Sequence, residues 1–188
     1  MRTLARALYR NLRSCIRLPQ DYYIAALGLA VLLFFLFRKE KMGKRLAISL
    51  LCPYLFLVLG STVLKRRTYV RYMHYFMPFQ SWRIILRNGF RRSSYQLAQV
   101  LLNVLLLSPI GMLMPVFVKR KRLVVLFGFC FSLMIETLQL VLRRGYFETD
   151  DLIHNTLGVA IACGCFAIGE RIIGCIKQKI CRSSDSIR

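Results

Sequence analysis

Hydrophobic residues in this chain run in five long blocks, Tyr22–Phe37, Leu46–Leu64, Leu97–Val118, Leu123–Leu142 and Leu152–Gly174, with short, strongly basic gaps between them. An α-helix needs about 17–25 apolar residues to cross roughly 30 Å of hydrocarbon, so each block predicts a transmembrane helix. The first is short for a span, and the last carries Glu170 and Arg171 near its end. The fold class that follows is all-α: a polytopic integral membrane helix bundle of about five transmembrane helices.

The polar segments have patterns of their own. Arg2, Arg6, Arg10, Arg13 and Arg17 recur at helical spacing beside Leu4, Leu8, Leu12 and Ile16, which predicts an N-terminal amphipathic helix on a headgroup surface. Gly43 and the basic residues around it mark a tight turn between the first two blocks. Residues 65–96 mix Lys65, Arg66, Arg67, Arg71, Arg83, Arg87, Arg91 and Arg92 with Tyr69, Tyr72, Tyr75, Phe76, Phe79, Trp82 and Phe90. Aromatic rings settle at headgroup depth while arginines reach phosphates, so this stretch reads as a partly helical interfacial segment folded over the mouth of the bundle. From Lys177 onward a loose polar tail is expected.

Composition sharpens this reading. The chain is 56% hydrophobic with a net charge of +21 and a mean hydropathy of +0.49, which suits a bilayer and not water. Its basic residues lie in the gaps, where cations meet anionic headgroups, so nucleic acid is not the expected partner; the lipid bilayer is. Of seven cysteines, Cys52, Cys130, Cys163 and Cys165 fall inside apolar blocks and act as small hydrophobes, so no disulfide framework is implied. Arg38-Lys39-Glu40-Lys41 after the first block argues against a cleaved signal peptide. The dense cluster Lys119-Arg120-Lys121-Arg122 places that loop in the cytoplasm by the positive-inside rule, and the loop at 143–151 outside.

Chemistry concentrates where polar residues interrupt the blocks. An ionisable group in hydrocarbon costs a few kcal/mol and is turned inward, paired or functional. Ser132, Glu136, Gln139 and Arg143 line one stripe of the fourth block; Asp151, Asn155 and Gly158 share a face of the fifth, continued by Ala162, which permits close helix approach. The loop between them holds Glu148, Asp150 and Asp151, three of only eight acids in the chain. In the third block, Asn103 precedes Pro109 and Pro115, which predict a break or kink; side chains or water must then meet the freed carbonyls.

Three of these elements in order, Asn103-x5-Pro109-x-Gly111-x3-Pro115, Ser132-x3-Glu136-x2-Gln139 and Arg144-Gly145-x-Phe147-Glu148-x-Asp150-Asp151-x3-Asn155-Thr156-x-Gly158, resemble the motif series of VanZ-like membrane proteins over roughly residues 46 to 174. Met77-Pro78-Phe79 is similar to a further family element, Asn-Leu-Ile-Pro-Phe, although Tyr75 stands where its Asn would be, and Glu148 replaces the more usual Asp. The resemblance implies a membrane core at 46–174, with residues 1–45 an N-terminal addition and 175–188 a basic tail. It also implies a link to the cell envelope, localisation as a multi-pass protein of the cell membrane and, in some members, glycopeptide (teicoplanin) resistance.

The candidate cluster is therefore Asn103, Ser132, Glu136, Gln139, Arg144, Glu148, Asp150, Asp151 and Asn155. Its first reading is a pocket for an envelope amphiphile, a cell-wall lipid precursor or a glycopeptide. A second makes it a membrane hydrolase or phosphatase, with the carboxylates holding a divalent cation and arginines holding phosphate; no catalytic residue can be named for it. A third is architectural. Glu136 would pair with Arg143 or Arg144, Asp150 and Asp151 would cap the last helix, and Asn155 would bond to Gln139, while His154 would pack at the interface.

Overall fold

The computed structural model describes residues 2–16, 18–66, 74–75, 77–90 and 92–185. Eight α-helices carry the fold: α1 (Arg2–Ile16), α2 (Gln20–Leu36), α3 (Met42–Leu59), α4 (Gln80–Asn88), α5 (Ser94–Leu106), α6 (Ser108–Leu113), α7 (Lys121–Val141) and α8 (Thr149–Asp185). Two short strands, β1 (His74–Tyr75) and β2 (Phe147–Glu148), pair in parallel with His74 opposite Phe147 and Tyr75 opposite Glu148. The molecule is an all-α membrane bundle.

Four helical rods are long and apolar enough to cross a membrane: Met42–Leu64, Ser94–Val116, Lys121–Val141 and Thr149–Ile180. The expected count of five is corrected to four. The first block forms only the 17-residue α2, about 26 Å at 1.5 Å per residue, short of the hydrocarbon thickness. It lies along α3, where Tyr22 stacks on Phe56 at 5.9 Å and Arg45 sits over the Phe34 ring.

Helix α8 is the centre of the bundle and packs against α5, α6 and α7. Small residues make this possible. A Cβ on Gly158 would overlap the Val104 carbonyl of α5; one on Gly111 would meet Val159, Ala162 and Cys163 of α8; one on Gly128 of α7 would meet Val159. Between them lie Val159 and Cys163, buried with Leu107, Ile110, Val124 and Ile135.

The proline break falls where expected. The chain steps from α5 to α6 at Leu107, one residue before Ser108-Pro109, and ends in a 3-10 turn at Met114–Val116. The Ser108 hydroxyl donates to Leu105 O at 2.8 Å, and the Tyr54 hydroxyl donates to Leu106 O. Asn103 is engaged elsewhere. The end of α3 widens into a π turn at Gly60–Leu64.

At the ends, α1 packs its Leu4, Ala7, Leu8 and Asn11 stripe onto the bundle beside α5, with Ala7 buried and its arginines at 6, 10 and 13 exposed. Residues beyond 176 are a helical continuation of α8 through Asp185, not a loose tail. Of the aromatic-basic segment, residues 67–73, 76 and 91 lie outside the described residues, and α4 supplies its helical part.

Gly158→Ala is expected to lower the detergent melting temperature, at a cost of about 1–3 kcal/mol for forcing a Cβ into a closed contact. Gly164→Ala, where a Cβ meets open space, is expected to change it little. Differential scanning fluorimetry on both proteins checks the contrast.

Candidate functional site

The site forms where α7 ends and α8 begins. Arg143, in the left-handed region with φ 54, follows the last turn of α7, and the Arg144 amide donates to Gln139 O at 2.8 Å. This five-residue-back bond is the Schellman mode of helix termination. It turns the chain so that β2 and the first turn of α8 come back alongside Glu136.

Four hydrogen bonds then draw the inward polar side chains together. Glu136, 1% exposed, accepts the Glu148 amide N–H at 2.9 Å through Oε2. Asn155 Nδ2 donates to Ser132 Oγ at 2.9 Å. Gln139 Nε2 donates to Thr62 O at 3.2 Å, in the π turn of α3. Asn103 Nδ2 of α5 donates to Asp151 Oδ1. Stripes from α5, α7 and α8 and the end of α3 therefore share one interior, as burial of hydrogen-bonding groups in a bilayer requires.

The outer part of the site is built by α4. Asp150, buried in the first turn of α8, accepts the Ser81 amide N–H at 2.7 Å through Oδ2 and so caps the start of α4 from outside it. Trp82 Nε1 donates to His154 Nε2 at 3.0 Å. These two bonds hold α4 across the end of the bundle. Beneath it is a cleft of about 150 Å³ whose lining includes Met77, Gln80, Ser81, Gln96, Gln99, Glu148 and Asp150. Asp150 Oδ1 is buried and has no hydrogen-bond partner among the described residues.

Charge is distributed differently from the architectural expectation. Arg144 donates to Leu64 O at 2.6 Å and takes no part in a pair with Glu136. Arg66 lies within Coulombic reach of Glu136, Glu148 and Asp151, and its Nη1 donates to Gln139 Oε1 at 3.4 Å. Asn155 bonds to Ser132, not to Gln139, because Gln139 lies about two turns further along α7 and turns to α3 instead. Burial pushes the Glu148 carboxyl above its ordinary range; the Arg66 guanidinium opposes this and Asp150 adds to it. Among the described residues, no three His, Cys, Asp or Glu side chains gather closely enough to hold one metal ion.

The sequence reading missed Arg66, Thr62, Ser81, Trp82, Gln96 and Gln99. Their signal was weak: Gln96 and Gln99 stand at i and i+3 on the entering end of α5, and Arg66 is one of a run of basic residues. Nothing local says which of that run turns towards the acids.

Because the folded chain holds the Glu148 proton more tightly than the unfolded chain, this group's stabilisation is full below pH 4.5 and is lost as pH rises through the folded value. Glu148→Gln, which copies the protonated state, is expected to flatten the fall in melting temperature as pH rises above 4.5; thermal scans over rising pH check it. A double-mutant cycle on Ser132→Ala and Asn155→Ala is expected to give a coupling of about 0.6 kcal/mol, the scale of hydrogen bonds between membrane helices.

The geometry can be set beside known proteins. Neither the curated proteins nor the solved structures yield a match to this chain. The VanZ/LLP1 family profile matches residues 46–170, a stretch that contains every candidate residue above, the cleft and α4. With that match over most of its length, the chain belongs to the VanZ/LLP1 family.

Proposed function

We propose that this protein is a multi-pass protein of the cell membrane that holds the polar part of an envelope amphiphile in the cleft under α4 without turning it over. In this reading the ligand class is a cell-wall lipid precursor or a glycopeptide, and occupancy contributes to glycopeptide (teicoplanin) resistance. The observation that carries the reading is the cleft itself. It is a concave site of acid and amide side chains at the end of an apolar bundle, where a molecule anchored in the bilayer can present its polar end.

Three further points support binding over hydrolysis. Glu136, Asp150 and Asp151 each accept a hydrogen bond that fixes a helix, from the Glu148 amide, the Ser81 amide and Asn103. No described trio of metal-ligating side chains accompanies them. His154 accepts from Trp82 and has no serine or cysteine to activate in that bond. The basic loop at 119–122 lies at the opposite end of α7 from the cleft; with that loop cytoplasmic, the cleft faces outward, where precursors and glycopeptides meet the membrane.

Expression in a susceptible host is expected to raise the teicoplanin concentration needed to stop growth. The double change Gln96→Leu and Gln99→Leu, which strips the α5 wall of the cleft of its amides, is expected to remove that gain at equal membrane abundance. Full protection by the double variant, or consumption of a labelled lipid precursor by purified protein, refutes the reading.

A further inference from the structure

Resting on the reading of the cleft as a binding site, though not on the ligand class given above, we infer that the cleft takes a primary ammonium joined to a phosphate, the headgroup chemistry of an ethanolamine phospholipid. Size is the first constraint. At about 150 Å³ the cleft falls below the roughly 300–1,000 Å³ of pockets that enclose drug-sized ligands. It admits a headgroup of a few heavy atoms, while the bulk of the ligand stays in the bilayer.

Charge is the second constraint. The chain carries a net charge of +21, yet among the described residues the charged ones lining this cleft are Glu148 and Asp150, and Gln80, Gln96 and Gln99 add amide oxygens that accept hydrogen bonds. Asp150 is 4% exposed, with Oδ2 held by the Ser81 amide and Oδ1 without a partner among the described residues. A buried carboxylate oxygen left unmatched costs more than a made hydrogen bond returns, and a ligand N–H supplies the missing donor. A quaternary ammonium has no N–H to give. A phosphate has no cation to meet among the described residues lining the cleft.

The rim supplies the complement. Met77 lines the cleft, and Arg83 reaches its Sδ, with Nη1 at 3.6 Å, so a guanidinium stands beside the opening. An ammonium seated against Asp150 and Glu148 leaves a phosphate two carbons away to meet Arg83 by a charge-assisted bond.

The test uses the full chain, delipidated in an alkyl maltoside, with emission from Trp82 as reporter. Trp82 is the single tryptophan, and on α4 it follows Ser81, which lines the cleft. Dihexanoyl phosphatidylethanolamine is expected to shift the emission saturably, at a midpoint roughly tenfold below that of dihexanoyl phosphatidylcholine. Glu148→Gln and Asp150→Asn, the latter keeping an oxygen for Ser81, are each expected to raise that midpoint by roughly tenfold. Arg83→Ala is expected to raise it for the phospholipid and not for free ethanolamine. Equal midpoints for the two lipids, or midpoints unmoved by both carboxylate variants, overturn the ammonium assignment. Free ethanolamine binding as tightly as the lipid makes the ligand a soluble amine and removes the phosphate from the proposal. Saturable binding of dihexanoyl phosphatidylglycerol alone, lost in Gln96→Leu with Gln99→Leu, overturns the headgroup class while leaving the cleft a binding site. Failure of every lipid to bind overturns both.

Discussion

A hydrogen-bonding side chain inside a bilayer has no water to turn to, and in this protein that constraint decides how the helices face one another. Ser132, Glu136 and Gln139 occupy one stripe of α7, and Asp151 and Asn155 one stripe of α8. Each finds its partner on another element: Asn155 on Ser132, the Glu148 amide on Glu136, Thr62 O on Gln139, Asn103 on Asp151. Rotating either helix by one residue, about 100°, would strand several of these groups at once. The polar stripes thus act as a register for the bundle, and the glycines at 111, 128 and 158 bring the backbones close enough to use it.

The same rule governs the backbone. Pro109 interrupts the second spanning rod, and the carbonyls left behind are met by the Ser108 and Tyr54 hydroxyls. At the end of α3 the π turn leaves the Thr62 carbonyl for Gln139, and the Thr62 hydroxyl turns back to Val58 O at 2.7 Å. Helix breaks inside a membrane persist where neighbouring side chains take up the freed groups, and here each break sits beside the polar interior.

Over that interior lies α4, held by the Ser81–Asp150 and Trp82–His154 bonds. The consequence for function is a division of labour between two acid groups. Glu136 and Asp151 sit inward and hold the architecture, while Glu148 and Asp150 face the cleft under α4.

The sequence by itself determined that the chain is a membrane helix bundle, roughly where each spanning helix runs, and which residues were too polar for lipid, because apolar length and helical periodicity are local properties of the chain. The motifs around Asn103, Glu136 and Asp150–Gly158 also placed it in its family. Four things lay beyond local pattern: that α2 stops short of a span, that Asn155 meets Ser132 and not Gln139, that Arg66 and not Arg144 stands near the acids, and that Ser81, Gln96 and Gln99 complete a cleft with Asp150. Those choices depend on helix rotation, on the turn after α7 and on where α4 docks, which are set by contacts between residues far apart in the chain, such as the 69 positions that separate Ser81 from Asp150.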